Sequence, residues 1–152
     1  MSRLLGIDLG QRRIGVAVGD EVGRGPRPLA TVARGRTVAD DAATIRRLAD
    51  EQRATGLVVG LPLSLDGSVG PQAAETMRWA EQVGSLTGLP VSLRDERLTT
   101  ERAAGRVGPP RRGRSGGPPS GERRRSRSGR LDREAATLIL QAELDARRAA
   151  AS

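Results

Sequence analysis

No cysteine and no histidine occur anywhere in the 152 residues. Disulfides, thiol nucleophiles, imidazole general bases and histidine-ligated zinc are thereby excluded. Any catalysis must come from carboxylates, hydroxyls, arginine, backbone groups or bound ions. Lysine is missing too, so all 26 basic residues are arginine. Aromatics are reduced to Trp79, which argues against a base-stacking surface of the kind that holds single strands. No apolar run is long enough to cross a bilayer, and no charged-then-apolar leader opens the chain. A cytoplasmic, soluble protein with no membrane contact is the expectation.

What is present is small residues and positive charge. Compositional bias toward arginine, glycine, alanine and proline explains why arginine replaces lysine. It does not explain the excess of basic over acidic residues behind a formal net charge of +8. That excess points to a polyanionic partner, nucleic acid first. The length suits one domain with a real core.

Along the chain, Arg3 to Leu9 and Ile14 to Gly19 read as two strands joined by a glycine turn at Gly10. Glu21 to Arg27 reads as a loop and Leu29 to Ala33 as a short third strand. Thr37, with Asp40 three residues on, resembles a capping box, and Val38, Ala42, Ile45 and Leu48 follow at helical spacing to about Ala54. Gly56 to Gly60 is a buried strand that Pro62 stops. Asp66-Gly67 signals a turn, and Pro71 opens a second helix whose apolar face takes Trp79. Leu89 to Arg94 reads as a fifth strand, and Thr99 or Thr100 caps a short helix through Ala104. From Gly105 to Arg130 the composition turns to Gly, Pro, Ser and Arg, which predicts a flexible insertion at about 105–130. Leu131 to Leu144 is a strongly apolar last helix. The pattern is an α/β domain spanning 1–152, with a mixed five-stranded sheet covered by helices.

Three regions carry carboxylates that such a sheet can bring together. Asp8 lies near the end of an apolar strand, where a lone charge is costly unless it is paired or binds metal. Asp95 and Glu96 end the last strand, on opposite faces by strand alternation, and alternation alone does not choose between them. An ion pair with Arg94 or Arg97 is the bland account of Glu96. Asp132 shares the buried stripe of the last helix with Ala135, Ala136 and Ile139, and its bland account is a favourable anion in a first helical turn. Three hard carboxylates without histidine or cysteine suit Mg²⁺ or Mn²⁺. Two such ions about 3.5–4 Å apart clamp a scissile phosphate and activate water for in-line attack. The chemistry implied is metal-dependent phosphodiester hydrolysis, with arginine supplying phosphate contacts.

At these residues the chain resembles a known family. Gly6-Ile7-Asp8-Leu9-Gly10 with Arg13-Ile14-Gly15-Val16-Ala17, Val58-Val59-Gly60-Leu61-Pro62-Leu63 with Asp66-Gly67, Asp95-Glu96-Arg97-Leu98-Thr99-Thr100, and Asp132 through Ala135-Ala136 to Ile139-Leu140-Gln141 are similar to the motifs of the YqgF (RuvX) family, in that family's order and over nearly the whole chain. The resemblance implies a ribonuclease-H-like fold. It implies a nuclease maturing the 5′ end of pre-16S rRNA in ribosome biogenesis, with precursor rRNA, or ribosomal precursor particles, as its partner. It implies Asp8, Glu96 and Asp132 as the catalytic, metal-binding acids, and so selects Glu96 over Asp95. The insertion is longer and richer in Gly, Pro and Arg than the family's usual basic linker. Alternatives remain: a Holliday junction resolvase-like DNA endonuclease using the same acids, a non-catalytic RNA- or ribosome-binding protein, and a nucleotide-binding module like the first phosphate loop of actin-like ATPases. The last needs two such domains, and this chain has room for one.

Overall fold

The structure is a computed structural model and describes residues 2–23, 25–96 and 121–151. The elements run β1 (Arg3–Leu9), β2 (Arg13–Asp20), β3 (Arg27–Ala33), α1 (Val38–Gln52), β4 (Gly56–Leu61), α2 (Pro71–Thr87), β5 (Val91–Asp95) and α3 (Gly121–Ala151). The strands form one five-stranded sheet in the order β3-β2-β1-β4-β5. β1, β2 and β3 pair antiparallel, while β4 and β5 continue from β1 in parallel, as the intervening helical crossovers require. The mixed five-stranded sheet flanked by helices is the architecture expected from the sequence.

Strand alternation divides the sheet into two faces. Leu5, Ile7, Ile14, Val16, Val18, Leu57 and Val59 bury one face against α1 and α2, where Ile45, Leu48, Trp79 and Val83 complete the larger core. Leu4, Ala17 and Val58 bury the other against Ala136, Ile139, Leu140 and Leu144 of α3. Trp79 is part of the larger core, and its indole N–H donates to the buried Asp41 at 3.0 Å. The capping box at Thr37 is formed: the Asp40 amide donates to the Thr37 hydroxyl at 3.1 Å, and the Thr37 amide to the Asp40 carboxylate at 3.2 Å.

Three elements start two or more residues from where the sequence pattern puts them. β3 starts at Arg27 rather than Leu29, because an edge strand tolerates Pro28. β5 starts at Val91, after Pro90, whose carbonyl accepts from the Leu57 amide. α3 starts at Gly121 rather than Leu131. Its first turns carry no apolar stripe to betray them, yet arginine is a good helix former. Residues 105–120 of the expected insertion, and the short helix expected from Thr99 or Thr100 to Ala104, lie outside the described residues. Among the described residues no helix is long and apolar enough to cross a membrane.

α3 lies unusually close to the sheet, through glycines that leave no side chain between them. A Cβ on Gly6 would come within 2.7 Å of the Ala136 carbonyl oxygen and the Leu140 Cβ. A Cβ on Gly15 would run into the backbone carbonyl of Asp132 and lie 2.9 Å from its Cβ. Backbone at that position cannot yield as a side-chain tip can. Gly15→Ala is therefore expected to cost about 1–3 kcal/mol of stability and to push the Asp132 turn off the sheet. Thermal melting checks this, and an unchanged melting temperature would show that α3 has freedom to slide.

Candidate active site

Gly6, Asp8, Arg13, Gly15, Gly60 and Arg94 belong to the sheet face that α3 covers. Asp8 lies one residue from the end of β1, opposite Gly15 of β2. Glu96 directly follows β5, in alternation with Arg94, and its carboxylate and Cγ stand over Gly60 of β4. An added Cβ at Gly60 would lie 2.7 Å from the Glu96 Oε1. The docking of α3 therefore separates the adjacent acids, since it covers the face that carries Asp8 and Glu96. Glu96 is on the α3 side, and Asp95 contributes only its negative charge to Glu96.

Asp8 and Glu96 meet through a side-chain hydrogen bond. Burial raises the Asp8 pKa; the bond from Glu96 works against that, and the nearby Asp132 charge adds to it. Burial also pushes Glu96 up, to about 8, helped by its hydrogen bond to Asp8 and by the charges of Asp8 and Asp95. At neutral pH Glu96 thus keeps a proton and donates it to the Asp8 carboxylate oxygen, the direction in which the bond lowers Asp8 and raises Glu96.

Asp132 comes from the middle of α3, close enough for its charge to reach Asp8, but its carboxylate is already engaged. Arg13 at the start of β2 donates from Nε to Asp132 Oδ2 at 3.0 Å. With α3 beginning at Gly121, Asp132 is not a first-turn residue, so interaction with the helix N-terminus does not account for it. Among the described residues, no three His, Cys, Asp or Glu side chains stand grouped as a preformed metal cage. The donor chemistry nevertheless fits a hard divalent cation. Asp8 and Glu96 are desolvated carboxylates that repel one another when both are ionised, and Asp132 is adjacent; a dication relieves that repulsion.

A second ionic group, not singled out from the sequence, fastens α3. Glu143, 8% exposed, accepts from Arg94 Nε at 3.0 Å and Nη2 at 2.5 Å, and from Arg147 Nε at 3.1 Å. Burial opposes the Glu143 charge, but the hydrogen bonds and charges of Arg94 and Arg147 outweigh it and hold its carboxyl below the ordinary range. Arg147 also reaches Glu21 at 2.6 Å. Arg94, one of the cations considered for Glu96, is thus bound to Glu143. The signal was present in the sequence: Ala136, Leu140, Glu143 and Arg147 follow at helical spacing, putting a charge on an apolar stripe.

A cavity of about 270 Å³ lies on the opposite side, between the Gly10 turn, Arg34 and the first turns of α2. The acids are not in it. They lie on the α3 face, beside the C-terminal ends of β1, β4 and β5, where ligand sites of parallel sheets are found.

A family model described as "RuvX: Holliday junction resolvase" matches residues 2–146. The chain belongs to the RuvX family. Relatives within it include proteins named "Putative pre-16S rRNA nuclease" from Anaeromyxobacter sp. strain Fw109-5 and Synechococcus elongatus. The first is 45% identical over 147 residues, covering 97% of this chain and 99% of the relative. The second is 43% identical over 144 residues, covering 95% and 89%. Among solved structures, Thermus thermophilus RuvC in complex with a Holliday junction substrate matches with a TM-score of 0.55 at 15% identity, over 97% of this chain and 96% of that one. That likeness bears on the fold alone, and it is the ribonuclease-H-like fold expected of a RuvX-family chain. As a member of a nuclease family, the chain is a hydrolase of phosphodiester bonds.

Proposed function

We propose that this chain, acting as a single ribonuclease-H-like domain, hydrolyses phosphodiester bonds at the 5′ end of pre-16S rRNA, with Asp8, Glu96 and Asp132 holding Mg²⁺ or Mn²⁺. The observation that carries this is the Asp8–Glu96 pair: two desolvated carboxylates in contact, with Asp132 beside them, in a RuvX-family chain that has no histidine or cysteine. Such a pair is expensive as structure and useful as a cation site. When bound, a divalent ion there supplies charge neutralisation at the scissile phosphate and a water of lowered pKa. Asp8 accepts the hydrogen bond that keeps Glu96 oriented over Gly60. Glu96 must give up its proton to act as a ligand, so affinity for the divalent ion rises with pH toward about 8. Arginine on the surface contacts the flanking phosphates. Processing of rRNA would put the protein in the cytoplasm, on precursor rRNA or on ribosomal precursor particles.

The DNA reading is favoured by one observation, the family model's own description as a Holliday junction resolvase. Both substrates are tested together: purified protein with Mg²⁺ or Mn²⁺ is offered a pre-16S rRNA 5′ fragment and a synthetic four-way DNA junction. Cleavage of the RNA, absent in Glu96→Gln, is the expected result. Cleavage of the junction alone reassigns the substrate. Cleavage of neither, with RNA bound, leaves a non-catalytic binding protein.

A further inference from the structure

Arg13 occupies a place that neither the acids' chemistry nor the packing of the fold demands. It is the first residue of β2, its side chain is 39% exposed, and its Nε holds Asp132 Oδ2 at 3.0 Å. Asp132 itself is 22% exposed. The guanidinium therefore sits at the open edge of the site rather than inside it. Other bonds already fasten α3 to the sheet at points along its length. These are Thr31 to the Gly129 carbonyl at 2.6 Å, Arg133 to Thr31 at 3.1 Å, Arg94 to Glu143, and Arg147 to Glu21 just beyond β2. Arg13 is thus a cation bound to the one candidate metal-binding acid that does not take part in the Asp8–Glu96 hydrogen bond.

We propose that Arg13 is a positioning residue with two alternative partners: Asp132 before a divalent cation is bound, and a substrate phosphate after it. The inference rests on Asp132 being a metal ligand, as proposed above. A dication drawing on Asp132 competes with the guanidinium for the same carboxylate and repels it at short range. Arg13 then leaves Asp132 and, being partly exposed on a strand end, needs only a side-chain rotation to do so. Its planar fork matches a phosphodiester's oxygens as well as it matches a carboxylate's. Metal and nucleic acid consequently favour each other's binding, because the ion releases the group that the phosphate requires. The arrangement also pairs the Asp132 charge, which Asp8 already feels, until an ion takes it.

The test uses the full chain and the metal alone. Mn²⁺ is titrated calorimetrically at pH 8 into wild type, Arg13→Gln, Arg13→Lys and Asp132→Asn, each verified as folded by its melting curve. In Arg13→Gln the ion no longer has to break an ion pair, so Mn²⁺ affinity is expected to rise about two- to fivefold, the size of a partly exposed pair. Arg13→Lys, which keeps the charge but not the fork, stays near wild type for metal. Phosphate-backbone binding moves the other way. With Ca²⁺ present, affinity for an RNA fragment falls in Arg13→Gln, and the slope of log affinity against log salt shrinks by about one phosphate contact. Damage to the fold would weaken both affinities, so a rise in one with a fall in the other is not a structural effect. Unchanged or weaker Mn²⁺ binding in Arg13→Gln overturns the role given to Arg13, provided Asp132→Asn loses metal. If Asp132→Asn binds Mn²⁺ as wild type does, the metal-site assignment fails instead.

Discussion

Asp8→Asn stops cleavage while making the metal-free protein harder to melt. Asp8 stands on the α3 face of β1 with Glu96 bonded to it and Asp132 close enough to raise its proton affinity. Asparagine keeps the size of the side chain and still offers an oxygen to the Glu96 proton. It removes one of the charges that burial penalises, and with it the repulsion that Asp8 shares with Glu96 and Asp132. At pH 8 the variant should therefore be more stable than wild type by about 1–3 kcal/mol, seen as a raised melting temperature. Catalysis moves oppositely. Loss of a carboxylate that ligates the ion removes several kcal/mol of transition-state stabilisation, so a fall of about a thousandfold or more in cleavage rate is expected. RNA affinity measured without divalent ions should change less than twofold. Retained cleavage by a clean preparation of Asp8→Asn would refute the assignment of Asp8. A lowered melting temperature would refute the account of Asp8 as a strained charge.

The second large effect is a dependence of stability on pH that divalent ions abolish. Glu96 has an ordinary value of 4.5 and is raised to about 8 by burial, by its bond to Asp8 and by the charges around it. The folded state therefore holds a proton that the unfolded state releases above pH 4.5. The stability associated with that proton is fully present below pH 4.5 and is lost as pH rises toward 8. The interval corresponds to at most about 5 kcal/mol, reduced in practice by relaxation and residual hydration. Asp8, also raised, acts in the same direction from its own ordinary value of 3.8 upward. Glu143 has the opposite sign. Its carboxyl is held below 4.5, so its contribution is present above that value and is lost as pH falls through its lowered pKa. The metal-free protein should thus melt highest near pH 5 and progressively lower toward pH 8. Glu96→Gln should flatten the alkaline limb. Saturating Mg²⁺ or Mn²⁺ should flatten it too, since the ion binds the ionised carboxylates and stabilises the folded state by mass action. A melting temperature that is level from pH 5 to 8 without metal would show that Glu96 titrates normally.

The strands, the helices and the candidate acids were legible because they follow from local pattern. Apolar runs set off by glycines marked β1, β2 and β4, the Thr37-x-x-Asp40 spacing marked the start of α1, and Asp8 stood out as a charge in an apolar run. Less local facts were not. Choosing Glu96 over Asp95 on physical grounds depends on which sheet face α3 covers, and no residue near β5 records that; only the family resemblance made the choice. The start of α3 at Gly121 was hidden because its arginine-rich first turns have no apolar period in the sequence. Arg13 appeared only as one letter of a motif, since its contact with Asp132 spans 119 positions. Glu143 was readable in principle, as a charge at a helical interval within an apolar stripe. Its partner Arg94, 49 positions away, was not.

The close seating of α3 against Gly6 and Gly15 has a consequence in time as well as in space. Asp8 and Glu96 are synthesised early, but Asp132 arrives on the last element, and Leu4, Ala17 and Val58 stay uncovered until that element docks. The proposed set of acids is therefore incomplete on any nascent or truncated chain that stops before α3. The growing chain gains the third acid only once α3 has been made and is free to settle onto the sheet.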